Sequence, residues 1–223
     1  GFAASTYHRG LRLIHVPTSS LAQTDAGIGG KTALSLYGLK NVIGTVYHPD
    51  AVIIDPELLR TLPKRQYYNG FAEALKAGAI RDPQLFTLLE RNEFDPEDVI
   101  TRAVRIKLDI ISRDEADASI RQLLNFGHTI GHALESFHKG TLLHGECVLW
   151  GMTPMLKQKN DLDRLLGVIG SWGIPKPEVP DSDSLLDFIY SDKKIRGETI
   201  TIAVATKIGQ AGLAQIPAAR LKE

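Results

Sequence analysis

The sequence predicts a small α/β segment followed by a mainly helical region. Two short apolar runs, 11–17 and 51–55, stop at prolines and are typical of buried strands. Beyond residue 64 the apolar residues recur at i, i+3 and i+4, with few helix breakers between them. We therefore expect an α/β part over residues 1–63 and a helical part over residues 64–223.

The spacing of apolar residues and the positions of helix breakers predict the individual elements of the helical part. Helices are expected over 66–80, 82–91, 95–113, 117–137 and 144–170. Asp95 and Pro96 form a typical helix start, with an acidic cap and a proline in the first turn. After a proline-rich connection, residues 181–191 predict a short helix, and the alternation over 199–205 predicts a strand.

Composition excludes several classes of protein. The chain has 223 residues, of which 43% are hydrophobic, and this is enough for a real core. Lys plus Arg and Asp plus Glu both number 26, so we expect no nucleic acid and no membrane as partner. The single cysteine, Cys147, lies in an apolar stretch, and we expect a buried thiol in a protein of the reducing cytoplasm.

Three histidines and a glutamate suggest a metal site. His128 and His132 are one helical turn apart, and His144 follows twelve residues later. Glu73 lies in an apolar helical stripe upstream. Catalytic zinc commonly has three protein ligands, so Glu73, His128 and His144 could bind the ion and leave His132 as an acid or base.

Two alternatives remain for these histidines. His128 and His132 could themselves be the ligand pair, but Thr129 and Ile130 occupy the places where a metalloprotease carries its glutamate. The histidines could also cap helices or satisfy hydrogen bonds in the core.

Other polar residues are consistent with a binding pocket. Arg121 and Asn125 precede His128 at helical spacing, so a continuous helix would present all three on one face. Residues 27–32 form a glycine-rich stretch that could cradle a phosphate, although it lacks the spacing of a P-loop and could equally be a simple turn. The lysines of Lys40-Asn41 and Lys193-Lys194 are ambiguous by themselves.

Several motifs occur together in a characteristic order. They are Pro17-Thr18-Ser19, Asp25 with Gly29 to Thr32, Lys40 to Gly44, Ile54-Asp55, Thr61 to Pro63, Gly70 to Lys76, Asp114-Glu115, Arg121 to His132, Leu143 to Glu146 and Asp192 to Lys194. This arrangement resembles the 3-dehydroquinate synthases of the sugar-phosphate cyclase superfamily, over essentially the whole chain. The run Leu123 to Thr129 joined to His144-Gly145-Glu146 is its most specific part.

The resemblance implies a fold and an activity. Residues 1–63 would be the C-terminal part of an NAD-binding α/β domain, and residues 64–223 an all-α metal-binding domain. The enzymes resembled convert a seven-carbon keto-acid phosphate into 3-dehydroquinate in the shikimate pathway, as homodimers that use NAD with zinc or cobalt. NAD-mediated transient oxidation is followed by phosphate elimination, reduction and intramolecular aldol closure.

The resemblance also implies roles for particular residues. Glu73, His128 and His144 would be the metal ligands, and His132 a nearby acid or base. The NAD site would include Thr18, Ser19, Asp25, Lys31, Lys40, Leu58, Leu59, Arg60 and Thr61. Substrate would be bound by Arg9, Asn41, Lys76, Lys107, Arg121, Asn125 and one of Lys193 and Lys194, with Arg9 serving the neighbouring subunit.

The chain departs from the family pattern at its start. The glycine-rich segment that family members carry just before the position of Gly1 is absent, so we expect the native protein to be longer than this chain. The alternatives are another sugar-phosphate cyclase, making a valiolone or an inosose, a metal-dependent polyol dehydrogenase, and a domain that only binds metal or dimerises.

Overall fold

The computed structural model describes residues 1–37, 39–192 and 199–217, with backbone only at 39, 40 and 190–192. The N-terminal region, residues 1–63, contains short elements, while the helical region, residues 64–192, contains most of the core. Within the described residues, no helix is both long enough and apolar enough to cross a lipid bilayer.

The described part of the N-terminal region contains one short α-helix, three short 3-10 or π-helical segments and four strands. Helix α1 is Phe2–Thr6, and strands β1 (Ile14–His15) and β4 (Ala51–Val52) pair in parallel. Both strands are shorter than the apolar runs 11–17 and 51–55, so the prediction from these runs overestimated the strand lengths. Strands β2 (Lys31–Leu36) and β3 (Leu39–Val46) form an antiparallel hairpin that we did not predict. Its first strand begins at Lys31, within the glycine-rich stretch 27–32.

The helical region is organised around one buried helix. It comprises α2 (Lys64–Arg81), α3 (Pro83–Glu90), α4 (Pro96–Arg113), α5 (His128–Phe137), α6 (His144–Met152), α7 (Lys159–Ser171) and α8 (Ser182–Asp192). Residues 68–80 of α2 are all buried, which is typical of a helix packed on every side. Phe71 and Leu75 of α2 and Leu149 of α6 are fully excluded from solvent. Cys147 is also fully buried, as predicted.

Local sequence explains where several helices begin. The Asp95 side chain accepts a hydrogen bond from the Glu97 amide at 3.1 Å, and Pro96 opens α4, so the predicted helix start is confirmed. Asp82 caps α3 in the same way, accepting from the amides of Gln84 and Leu85.

Two helices predicted to be continuous are interrupted, and these predictions were wrong. Residues 117–137 contain a 3-10 helix, Ile120–Asn125, followed by Gly127 at φ +77° and then by α5. Arg121 and Asn125 therefore do not share one helix face with His128. Residues 144–170 divide at a 3-10 turn, Thr153–Met155, because Pro154 cannot continue the hydrogen bonding of α6.

A hairpin completes the fold after the helices. Strand β5 (Thr199–Lys207) confirms the strand predicted over 199–205, and it pairs antiparallel with β6 (Gln210–Pro217), which we did not predict. At the turn, the Gly209 amide donates to the Ala79 carbonyl of α2 at 2.8 Å. The second part of the chain is thus mainly helical, with one hairpin packed on its central helix.

Candidate metal centre and neighbouring cations

Helix α2 contributes a buried ion pair at the centre of the fold. Glu73 and Lys76 are 2% and 3% exposed, and the Lys76 ammonium contacts the Glu73 carboxylate. Gly70, one turn earlier, allows the segment of Ser20 and Leu21 to lie against α2, since a Cβ there would be 2.0 Å from the Leu21 amide nitrogen. The N-terminal region thus approaches the helix beside these charges.

The start of α5 brings two histidines to the same place. The break at Gly127 puts His128 at the first position of the helix, where its Nδ1 lies 3.1 Å from the Phe126 carbonyl oxygen. Its Nε2 lies 3.5 Å from Oε1 of Glu73. The His132 ring follows on the next turn, with its centroid 5.2 Å from that of His128.

The start of α6 supplies the third histidine. The Nε2 atom of His144 is 3.1 Å from Oε1 of Glu73, and its Nδ1 is 3.1 Å from Oε2 of Glu135. Gly145 permits this approach, because a Cβ there would be 2.0 Å from the Asn69 carbonyl oxygen of α2. The His144 ring is therefore held between two carboxylates.

The cluster satisfies the geometric requirements of a cation site. One ligand atom from each of His128, His132 and His144 lies within 4.8 Å of the others. Glu73 also faces two of these rings, so either three imidazoles or two imidazoles and a carboxylate could bind the ion. Both are typical ligand sets for zinc.

Proton positions at His128 favour a cation at this point. The Nδ1 position next to the Phe126 carbonyl requires that Nδ1 carry the proton, so a neutral ring presents the Nε2 lone pair to Glu73. Burial, together with the charge of Lys76, lowers the pKa of His128 to about 3. A lone pair and a carboxylate oxygen thus face each other at 3.5 Å, and a bound cation would satisfy both.

The other charges of the cluster follow the same electrostatics. Burial alone would lower the pKa of His144, but its hydrogen bonds to Glu135 and Glu73 raise it to about 9. Burial alone would raise the pKa of Glu73, yet the charges of Lys76 and His144 hold it well below its usual value. Glu73 is therefore a carboxylate, as a metal ligand must be.

A second lysine and an aspartate lie beside the ion pair of α2. The Lys107 ammonium is 2.8 Å from Oδ1 of Asp25 and donates to the Asp25 carbonyl at 2.5 Å. Burial lowers the pKa of Lys107. Burial alone would raise the pKa of Asp25, but Lys107 and Lys76 lower it overall. Burial alone would lower the pKa of Lys76, but the charges of Glu73 and Asp25 raise this pKa overall.

Arg121 is buried and fixed by its neighbours. Its guanidinium donates to the carbonyls of Gly29 at 2.8 Å and Glu115 at 2.7 Å. The Asp114 carboxylate accepts from the amides of Arg121, Ala118 and Ser119, and these hydrogen bonds lower its pKa to about 2. Asp114 therefore organises the loop that places Arg121.

The other residues predicted to bind NAD lie in the N-terminal region. Ser19 accepts from the Ala22 amide at 3.3 Å, Thr18 is exposed, and Lys31 pairs with Asp117. Leu59 is in the hydrophobic core, whereas Leu58, Arg60 and Thr61 are exposed. The side chain of Lys40 lies outside the described residues, and the roles of all these residues stay predictions.

The remaining residues predicted to bind substrate differ in their surroundings. Arg9 is exposed at φ +68°, Asn41 is exposed in β3 at φ +54°, and Asn125 is partly buried at the end of its 3-10 helix. Lys193 and Lys194 lie outside the described residues. The structure brings together Glu73, Lys76 and the three histidines, with Asp25 and Lys107 alongside.

Sequence reasoning gave no role to four polar residues around the histidines: Arg65, Asn69, Glu135 and Glu146. One of them, Glu146, belongs to the motif that it singled out. Arg65, Asn69 and Glu73 are spaced at i, i+4 and i+8, so this spacing could have shown that they share one face of α2. Glu135 gave no comparable signal, because its contact with His144 joins two helices.

Solved structures with the same fold define the class of protein. The chain matches ValA, a 2-epi-5-epi-valiolone synthase from Streptomyces hygroscopicus solved with NAD+ and Zn2+, with a TM-score of 0.90 and 28% identity. This match covers 100% of the chain and 67% of ValA. A 2-deoxy-scyllo-inosose synthase complexed with carbaglucose-6-phosphate, NAD+ and Co2+ matches with a TM-score of 0.85 and 26% identity, over 99% of the chain and 68% of that protein. The fold is that of the sugar-phosphate cyclases.

Sequence comparisons identify the family within this class. Residues 1–69 match the family model of the 3-dehydroquinate synthase N-terminal domain, and residues 70–195 match that of the C-terminal domain. The 3-dehydroquinate synthase of Clostridium kluyveri is 40% identical over 100% of this chain and 66% of its own length. That of Streptococcus thermophilus is 38% identical over 100% of this chain and 68% of its own length. The chain belongs to the 3-dehydroquinate synthase family and spans about two thirds of the length of these relatives.

Proposed function

We propose that the protein is a 3-dehydroquinate synthase, which converts a seven-carbon keto-acid phosphate into 3-dehydroquinate and phosphate. Relatives of that name, 38% to 41% identical, support the reaction. The observation that carries the proposal is the convergence of His128 and His144 on the buried Glu73, with Lys76 paired to the same carboxylate. This arrangement supports a cation site directly beside an anion-binding group.

Two cofactors belong to this proposal. The structures of ValA and of 2-deoxy-scyllo-inosose synthase hold NAD+ with Zn2+ or Co2+, and the ligand set found here fits the same ions. Glu73, His128 and His144 would hold the metal. When bound, NAD supplies a hydride acceptor and donor, and the metal polarises a substrate hydroxyl.

The cationic side chains have the charge that the substrate requires. A phosphate and a carboxylate on one small molecule need several cations, and Lys76, Lys107 and Arg121 are all within the buried part of the site. In the structure each contacts a carboxylate or a carbonyl, so these partners hold them in place until substrate anions bind. Because the surroundings have a low dielectric constant, each charge acts strongly on a bound anion.

His132 is placed to transfer a proton. Its ring centroid is 5.2 Å from that of His128 and 5.7 Å from that of His144, so it is next to the cation site. We assign it as the acid or base rather than as a ligand, since Glu73 completes a set of three with the other two histidines. Thr18, Ser19, Lys31 and the turn at 58–61 would contribute to the NAD site.

We propose in addition that the protein acts in the cytoplasm as a homodimer. The single cysteine, Cys147, fits a reducing compartment, because it is buried and cannot form an internal disulfide. Arg9 is exposed, as required of a residue that would reach the site of a neighbouring subunit.

Two rival activities differ from the proposed one in the cations that they require or in the NADH that they release. A valiolone or inosose synthase acts on a sugar phosphate that lacks the carboxylate, so it requires fewer cations. A metal-dependent polyol dehydrogenase releases NADH in proportion to product. The buried cations Lys76, Lys107 and Arg121 favour the doubly anionic keto acid.

The test uses the full polypeptide that the gene encodes, with zinc and a trace of NAD. We expect phosphate release in proportion to the seven-carbon keto-acid phosphate consumed, with no accumulation of NADH absorbance at 340 nm. Glucose 6-phosphate and sedoheptulose 7-phosphate should release little phosphate. Steady production of NADH would contradict the proposal, and so would preferred turnover of either sugar phosphate.

A lysine variant separates substrate binding from metal binding. Lys76→Ala removes a buried cation, so we expect catalytic efficiency to fall by about 100-fold or more, within the range for loss of one electrostatic contact. Zinc content should remain stoichiometric. Lys64→Ala changes an exposed lysine of the same helix and should leave both quantities unchanged. Loss of zinc in Lys76→Ala, or unchanged efficiency, would contradict the assignment.

A further inference from the structure

One face of α2 holds the segment that delivers His144 to the cluster. Arg65, Asn69 and Glu73 lie on three successive turns, and all three contact residues 141–146. The Asn69 side chain accepts from the Gly145 amide at 2.7 Å. Arg65 donates to the Thr141 carbonyl at 2.8 Å. The proposed ligand Glu73 is thus the last member of a row of contacts along one helix.

Glu146 joins the same row from α6. Its carboxylate accepts from Nε and Nη2 of Arg65 at 2.6 and 2.7 Å, so the pair is bidentate. It also accepts from the Leu143 amide at 2.8 Å, which caps the helix. The Glu146 side chain is 1% exposed, so its charge depends on these donors.

The two contacts fix the backbone on both sides of His144. The Leu143 amide is bound by Glu146, and the Gly145 amide is bound by Asn69. Gly145 also packs directly on the Asn69 carbonyl, where there is no room for a Cβ. With both neighbours held, the protein itself orients the His144 ring towards Glu73, and metal binding then costs less ordering of the chain.

We propose that Arg65 and Asn69, acting through Glu146 and the Gly145 amide, are positioning residues that set His144 for metal binding. The inference rests on the proposed metal centre. It predicts that their loss weakens metal affinity although neither side chain touches the ligand ring. Groups that hydrogen-bond a metal ligand directly change metal affinity by about 10- to 100-fold when removed, and we expect residues that fix the ligand's backbone to fall in the same range.

The experiment measures zinc dissociation constants by competition with a chromophoric chelator, on the full protein. Arg65→Ala and Asn69→Ala should each raise the dissociation constant by about 10- to 100-fold. Arg65→Lys keeps the charge but loses the bidentate geometry. Its zinc dissociation constant should therefore lie between those of Arg65→Ala and the unsubstituted protein.

Arg164→Ala is the matched control. Arg164 also makes a bidentate pair with a glutamate on another helix, at 2.9 and 2.6 Å from Glu90, but α3 and α7 carry none of the histidines. It should lower thermal stability, although by less than Arg65→Ala because Glu90 is 29% exposed, and it should leave zinc affinity unchanged. Circular dichroism checks that each variant is folded.

The outcomes separate this inference from the proposed metal centre. If the unsubstituted protein binds no zinc, both are overturned. If it binds zinc and Arg65→Ala and Asn69→Ala bind equally tightly, only the positioning inference is overturned. An equal loss of affinity in Arg65→Ala and Arg164→Ala would also overturn it, because the effect would then follow general stability.

Discussion

The helical region and the N-terminal region differ in how far their apolar side chains are buried. In α2, thirteen consecutive residues are buried, and the charged pair of the cluster lies among them. In the strands of the N-terminal region, by contrast, Ile14 is 58% exposed and Val46 is 57% exposed. Apolar burial supplies most folding stability, and the proposed metal centre lies in the region where the apolar residues are buried.

This difference separates two kinds of predicted site residue. The proposed metal ligands are fixed by packing between α2, α5 and α6, where Gly127 and Gly145 allow close approach. Most residues predicted for NAD lie on short elements that have much of their apolar surface in solvent. The structure therefore accounts for the proposed metal ligands in more detail than for the residues predicted to bind NAD.

The largest expected effect is loss of packing in α2. Phe71 is fully buried, so Phe71→Ala should lower the free energy of unfolding by about 3–5 kcal/mol. Val42 is 53% exposed in β3, and Val42→Ala should change it by less than about 0.5 kcal/mol. Urea denaturation measures both. Similar effects from the two substitutions would remove the contrast between the regions.

The second largest effect should come from removing a proposed metal ligand. His144→Ala should weaken zinc binding by more than about 100-fold, which exceeds the usual effect of residues outside the ligand set. His48→Ala is the control, since His48 of the N-terminal region also pairs with a glutamate, Glu115 of the helical region, at 3.0 Å. Metal analysis after dialysis tests this. Stoichiometric zinc in His144→Ala would refute the ligand assignment.

Two glycine substitutions test whether close helix packing contributes to stability. Gly145→Ala places a Cβ 2.0 Å from the Asn69 carbonyl oxygen, so α6 must shift, at an expected loss of about 1–3 kcal/mol in stability. Gly167 lies in α7 with no atom within 4 Å of a built Cβ, so Gly167→Ala should stabilise the protein by up to about 1 kcal/mol. Thermal unfolding distinguishes the two. A neutral Gly145→Ala would show that the contact is not tight.

The smallest expected effect concerns pH. Asp114 has a folded pKa of about 2, below its ordinary 3.8, so its contribution to stability is present above pH 4 and is lost as pH falls towards 2. The difference in melting temperature between the unsubstituted protein and Asp114→Asn should therefore narrow below pH 4. A difference that stays constant down to pH 3 would argue against the amide contacts as its source.

Much of this architecture could be predicted from the sequence. The helices near 66–80, 82–91 and 95–113 followed from apolar spacing and from caps such as Asp95. The end of α6 was missed although its local signal, Pro154, is present in the sequence. The start of α5 was not predictable, because the break at Gly127 depends on its close packing against Met152 and Val148 of α6. Periodicity cannot report such a contact between helices.

The candidate site was predictable to a similar degree. His128, His132 and His144 were found by spacing and motif, and the structure brings them together with Glu73. The contacts of Glu135 and Glu146 were missed, since each joins residues from separate helices. The pairing of Lys107 with Asp25 also needed the fold, because 82 positions separate them in the chain.

The most direct test of the central claim is anomalous diffraction at the zinc edge from crystals of the zinc-loaded protein. We predict one strong peak about 2.0–2.2 Å from a Glu73 oxygen and from Nε2 of His128 and His144, with His132 outside the ligand distance. A peak bound by His132 in place of Glu73, or no peak among these residues, would contradict the account.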